Sequence, residues 1–195
     1  MKTILLLRHS EPQKRPGISN AEIPLSDDGS YYAEQLFQNV IFRDAKYVYS
    51  SPYKRAYDTA RVLSPDVTTD DRLAERALGD ESLLTEAFWG RQYLDHDFRN
   101  KDGESLNDVR ARMNSFFHDL LNCLEDGERA VVVSHAAAIC AYLLNFCTIT
   151  VLNSKQKSRK IQRNDNIILC GKIRTPSAFV LHFQAQELSD ISYIE

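Results

Sequence analysis

An α/β layered fold with a mostly parallel sheet is predicted by three features of this 195-residue sequence. Residues 4–7 and 130–133 are continuous apolar runs, the mark of strands covered on both faces. Strand-like and helix-like segments alternate along the chain. Each apolar run also stops at a histidine, His9 or His135, just before a turn towards helix. In open α/β sheets, ligands bind beyond the carboxyl ends of the strands.

The elements follow in order. The first strand ends in Arg8 and His9, and residues 10–25 read as loop, punctuated by Pro12, Pro16, Gly17, Asn20 and Pro24. Ser26 is a helix N-cap, with Asp27 and Asp28 in the first turn, where the dipole favours them. This helix is expected to run to about Val40, burying Ala33, Leu36, Phe37 and Val40. Residues 47–49 form a second strand. Ser51 is then placed to cap a helix and Pro52 to occupy its first position, with YKRAYDTARVL as its body. Residues 67–69 suit a short third strand leading to Glu75.

Residues 76–103, with Trp89 and other aromatics among polar residues, read as an insertion over one end of the sheet, and so over a site there. Ser105 caps a long helix to about Leu124, on which Val109, Met113, Phe116, Phe117, Leu120 and Leu121 keep a helical period. The second apolar run leads through His135 into the helical stretch AAAICAYLLNF. Residues 155–163 read as a polar, basic connector, residues 179–183 as the last strand, and the tail after Glu187 as weakly specified. Residues 1–195 together read as one domain.

Composition excludes several classes. The net charge of −3 gives no bulk basic field for nucleic acid. The four cysteines form no CxxC pair, read as reduced thiols, and have the wrong spacing for zinc, so no metal is expected. The apolar run near the start is too short for a secretory signal, and no window approaches a membrane helix. The expected location is the cytoplasm.

Taken singly, each histidine reads as a hydrogen-bonded boundary residue, Arg55 as a solvated cation and Glu75 as an exposed carboxylate. Two histidines at strand ends, with Arg8 and a helix N-terminus carrying Arg55, together suggest an anion site. The blocks LRHSEP, IPLSDDG, SSPYKRAYDTA, RLAER, DGES and VVVSHAA stand in the order of the histidine phosphatase superfamily, of the phosphoglycerate mutase-like fold. The chain resembles that family over residues 4–183.

The resemblance implies a three-layer α/β/α sandwich and a phosphoryl-enzyme mechanism with neither metal nor other cofactor. It makes His9 the nucleophile, Arg8 and Arg55 the phosphate clamps, His135 the second histidine and Glu75 the proton donor. The chemistry suits these groups. Planar guanidinium donors match phosphoryl oxygens and hold a nearby imidazole neutral, with a lone pair for attack. A backbone carbonyl is expected to hold the other ring N–H of His9. A protonated Glu75 supplies the leaving group's proton.

The chain departs from the family at Ser10 and at Ala136-Ala137, where glycine is usual, and at Lys14-Arg15, where mutases carry asparagine. A glycine lost from a left-handed position costs about 1–2 kcal/mol. Ser10 is placed to donate to a phosphate oxygen, and Arg15 to act as a third clamp or to read a second anionic group. The expected function is a phosphomonoesterase acting on a small-molecule phosphate ester, with no nucleic acid or membrane partner. A phosphoglycerate mutase and a catalytically weak phosphate-binding module are the alternatives. The sequence leaves the oligomeric state open.

Overall fold

The strands are β1 (Lys2–Arg8), β2 (Tyr47–Ser50), β3 (Thr68–Thr69), β4 (Arg129–Ser134), β5 (Thr148–Asn153), β6 (Ser158–Arg163), β7 (Asn166–Gly171), β8 (Ser177–Gln184) and β9 (Glu187–Ile194). The helices are α1 (Asp27–Phe37), α2 (Lys54–Leu63), α3 (Glu86–Arg91), α4 (Leu106–Cys123) and α5 (Ala136–Leu143). The computed structural model describes all 195 residues except the side chains of Glu81 and Glu86.

The continuous apolar runs explain the layers. Ile4 and Leu6 of β1, with Val132 of β4, join a core formed with α4 and α5. Leu5 and Leu7, with Val131 and Val133, join a second core with α1 and α2 on the opposite face. Successive side chains of a strand point to opposite faces, so a strand between two helical layers must be apolar throughout. The six-stranded sheet has the order β3-β2-β4-β1-β8-β9. β3, β2, β4 and β1 run parallel, β8 pairs antiparallel with β1, and β9 pairs antiparallel with β8. Among the described residues, no helix is long and apolar enough to cross a membrane.

Local signals set most boundaries. Ser26 Oγ accepts the Gly29 N–H at 2.9 Å and starts α1. Ser105 and Asp108 form a reciprocal capping box at α4. Four expectations change. α1 stops at Phe37, and a 3₁₀ turn, Val40–Phe42, buries Phe42 while leaving Val40 exposed. α2 begins at Lys54 rather than Pro52.

The basic connector expected at residues 155–163 is instead a turn and a strand, part of a second sheet of order β5-β6-β7. The tail after Glu187 is β9, whose Leu188 and Ile191 are buried and whose Tyr193 and Ile194 are partly so, while Glu187, Ser189, Asp190 and Ser192 are exposed. A half-buried edge strand needs few apolar residues, which is why its sequence looks weakly specified.

Candidate active site

Sheet register brings the two histidines together. In the parallel pair β1·β4, Arg8 stands opposite Ser134, so the following residues, His9 and His135, leave the sheet at one level. Their ring centroids are 5.1 Å apart. β2 continues the row: the Ser51 N–H reaches Val133 O at 2.9 Å, and Ser51 Oγ lies 2.8 Å from His135 Nε2. That contact, with one from the Tyr53 N–H at 3.2 Å, occupies the hydroxyl that was expected to cap α2.

Arg55, buried in the first turn of α2, joins the two rings. Its Nε donates to His9 Nε2 at 3.1 Å, its Nη2 to His135 Nδ1 at 3.2 Å and its Nη1 to Asn20 O at 2.5 Å. A guanidinium only donates, so His9 Nε2 and His135 Nδ1 are acceptors. The neutral rings then carry their protons on the other nitrogens. His9 Nδ1–H donates to Ser10 O at 2.7 Å, and His135 Nε2–H to Ser51 Oγ.

Burial, helped by the charges of Arg55 and Arg8, lowers the pKa of His9 to about 3. Burial also holds His135 well below its ordinary value, with His9, Arg55 and Arg8 acting in the same direction. Both rings are therefore neutral around pH 7, and the lone pair of His9 Nε2, at the cavity wall, is held by Arg55.

Arg8 Nη1 donates to Ile173 O, but its buried Nε has no hydrogen-bond partner among the described residues. A buried donor without an acceptor is costly, and here it belongs to a side chain lining a cavity. Glu75 lines the same cavity, half-buried. Burial raises its pKa, opposed by the Arg76 N–H and by Arg55 and Arg8. Its backbone is braced by Arg112, which donates to the carbonyls of Arg72 at 2.7 Å and Ala74 at 2.9 Å while gripping Glu104 at 2.8 and 3.0 Å.

The structure thus brings Arg8, His9, Arg55, Glu75 and His135 to one end of the sheet. His135 lies fully buried behind Arg55 rather than on the cavity wall. Two residues expected to contact phosphate, Ser10 and Arg15, stand off the cavity wall. Ser10 is fully buried off the wall, its N–H on Thr59 Oγ1 at 2.9 Å and its own Oγ without a partner. Arg15 is exposed and donates to Gln13 at 2.6 Å; the cation that this loop turns to the cavity is Lys14. Ser10, Ala136 and Ala137 are not among the residues with positive φ, so replacing glycine there brings no left-handed strain. Ala136 and Ala137 line the cavity instead.

The cavity measures about 860 Å³. Leu78, Leu84, Trp89, Gln92 and Tyr93 from the stretch 76–103 form part of its wall, and the β5–β6 turn forms another. Arg159 of β6 is a cavity residue that the sequence did not single out. Its Nη1 donates to Tyr93 OH at 3.0 Å and contacts Cys140 Sγ at 2.7 Å. The alternation of TITV in β5, and Asn164 leading a two-residue connection at φ 50°, are the signals that mark this sheet.

Comparison with known proteins follows the same lines. The family described as "Histidine phosphatase superfamily (branch 1)" matches residues 4–162. A 2,3-bisphosphoglycerate-dependent phosphoglycerate mutase of Thermoplasma acidophilum is 39% identical over 87 residues, 40% of this chain and 44% of that protein. The chain thus spans under half the length of that relative. The phosphoglycerate mutase-like protein 4 of Arabidopsis thaliana is 29% identical over 157 residues, 70% of this chain and 67% of that one. Among solved structures, a phosphoserine phosphatase of Entamoeba histolytica in complex with 3-phosphoglyceric acid superposes with a TM-score of 0.69. It shares 20% identity over 98% of this chain and 97% of its own, a likeness of fold.

Proposed function

The chain belongs to the histidine phosphatase superfamily, branch 1, and on that premise we propose that it hydrolyses a small phosphorylated metabolite through a phosphohistidine on His9. The observation that carries this reading is the neutral His9. Its Nδ1–H is held by the Ser10 carbonyl, and its Nε2, which accepts from Arg55, stands at the wall of a cavity that Arg8 and Arg55 also line.

An incoming phosphate dianion takes the N–H groups of Arg55 and the unpartnered Nε of Arg8, which releases the His9 Nε2 lone pair. Nε2 attacks phosphorus, the ester P–O bond breaks, and the proton of Glu75 passes to the leaving alkoxide. Charge on the peripheral oxygens is met by the fixed guanidinium donors. His135, buried behind Arg55 and neutral, keeps its Nδ1 on Arg55 Nη2 and so orients that guanidinium towards the phosphoryl oxygens. In the second half, water loses a proton to Glu75 and attacks phosphorus, the P–N bond breaks, and inorganic phosphate leaves. Each proton and electron pair is carried by the chain's own side chains, so turnover is expected to survive a chelator. The unpaired cysteines suit a reducing cytoplasm.

The test is His9→Ala assayed with p-nitrophenyl phosphate. Turnover should fall to background, together with the acid-labile label that a radioactive substrate leaves on the unaltered chain. Undiminished release of nitrophenol would remove the nucleophile from His9. A phosphoglycerate mutase is the second reading, favoured by the similarity to the Thermoplasma phosphoglycerate mutase. Isomerisation of a phosphoglycerate without phosphate release, stimulated by 2,3-bisphosphoglycerate, distinguishes it.

A further inference from the structure

The cavity is far larger than a phosphate group needs, and its charge runs against that of the chain. At about 860 Å³ it sits near the upper end of small-molecule sites. The chain's net charge is −3, yet Glu75 is the only acidic residue on the wall among the described residues. The cations divide into two groups. Arg8 and Arg55 face the histidines, and Arg76 is committed to the fold through Glu104 O, Gln92 and Phe98 O. The remainder make no contact with either histidine and include Lys14, Lys157, Arg159 and Lys172.

Three of these come from the small sheet and the segment just after it. Lys157 sits in the β5–β6 turn at φ 54°, Arg159 opens β6, and Lys172 follows β7. Lys14, Lys157 and Lys172 form no ion pair among the described residues. Arg159 is held in place by Tyr93 OH and Cys140 Sγ rather than by a carboxylate. It is close enough to the reacting end to interact with both Arg8 and Glu75. Gathering like charges around one cavity is unfavourable without an anion to meet them, and two guanidinium groups already suffice for one phosphate.

We propose that the substrate carries a second anionic group, a carboxylate or another phosphate, held by Arg159, Lys157 and Lys172 of the β5-β6-β7 wall while Arg8 and Arg55 hold the phosphoryl group that is transferred. This rests on the phosphatase reading for the reacting end and assigns the remaining cations. The wall acts as a filter: a phosphate ester with no second anionic group fills the reacting end but leaves these cations unmatched.

The test compares kcat/KM within matched pairs on the full chain: 3-phosphoglycerate against glycerol 3-phosphate, and fructose 1,6-bisphosphate against fructose 6-phosphate. At least one member with the second anionic group should be favoured by about tenfold or more, the worth of one hydrogen bond to a charged group. A preference in the first pair identifies a carboxylate, in the second a phosphate, and in both a general anion site. Ratios within about twofold in both pairs would overturn the proposal.

The double variant Lys157→Gln/Lys172→Gln, at two exposed positions, should lower the preferred ratio at least about fivefold, and Arg159→Gln should do the same. An unchanged ratio in the folded double variant would remove the assignment from this wall. Nitrophenyl phosphate turnover by the unaltered chain checks the phosphatase reading separately. Should that reading fail, calorimetric affinities for the same pairs still decide the anion site, equal affinities counting against it.

Discussion

At the scale of single residues, the site is built on two neutral imidazoles and one carboxyl whose pKa burial raises. Arg55 fixes the tautomer of both rings, because a guanidinium can only donate. Glu75 tests the division of labour. Its pKa is raised, and the acid form is the active one, so its contribution is present at low pH and lost as pH rises through that raised value. For an alkyl phosphate, kcat/KM should therefore fall on the alkaline side. Glu75→Gln should cost such a substrate about 10²–10⁴-fold and remove that limb. An aryl phosphate, whose leaving group needs no proton, should lose far less. Steady-state profiles of both substrates check this, and equal losses would place Glu75 outside the proton transfer. Arg159 was not legible in the same way as Glu75: a basic residue among Lys155, Lys157 and Lys160 looks like any solvated run until the sheet turns it inward.

At the scale of elements, sequence legibility followed burial. β1 and β4 are covered on both faces, and a run of four apolar residues identifies such a strand without tertiary knowledge. The Ser105 cap of α4 was equally plain. β6 and β9 are covered on one side or at an edge, so SRKIQR and ELSDISYI carry no continuous run. The start of α2 was displaced because a tertiary partner, His135, claims the Ser51 hydroxyl, which no local pattern reveals.

The stretch 76–103 folds by close backbone approach. Gly79 has φ +68°, and a Cβ there would stand 2.1 Å from Lys101 O. Asn100 Nδ2 ties the same crossing to Leu78 O at 3.1 Å. Gly79→Ala should destabilise the fold by about 2–4 kcal/mol, combining left-handed strain with a clash against backbone. It should also raise KM, because Trp89, Gln92 and Tyr93 hang from this crossing into the cavity. Urea unfolding and steady-state kinetics measure the two effects; an alanine that leaves both unchanged would show that the crossing does not set the wall.

At the scale of the whole molecule, the site is bound to stability through protons. Folding lowers the pKa of His9 from 6.5 to about 3 and moves His135 in the same direction. A group with a lowered folded pKa adds nothing above its unfolded value. Below that value the unfolded chain binds the proton more readily, so stability is lost as pH falls from about 6.5 towards 3. Each such histidine removes about 1.4 kcal/mol per pH unit within the window. With both active, unfolding at pH 5 should need markedly less urea than at pH 7, before most carboxylates titrate. His9→Gln removes one of the two protons taken up and should halve this histidine-linked slope between pH 6 and pH 4. The same substitution abolishes turnover, so the stability slope and the chemistry are read from one variant. Urea midpoints at half-unit pH intervals provide the measurement, and a slope identical to that of the unaltered chain would mean that His9 is not held neutral by the fold.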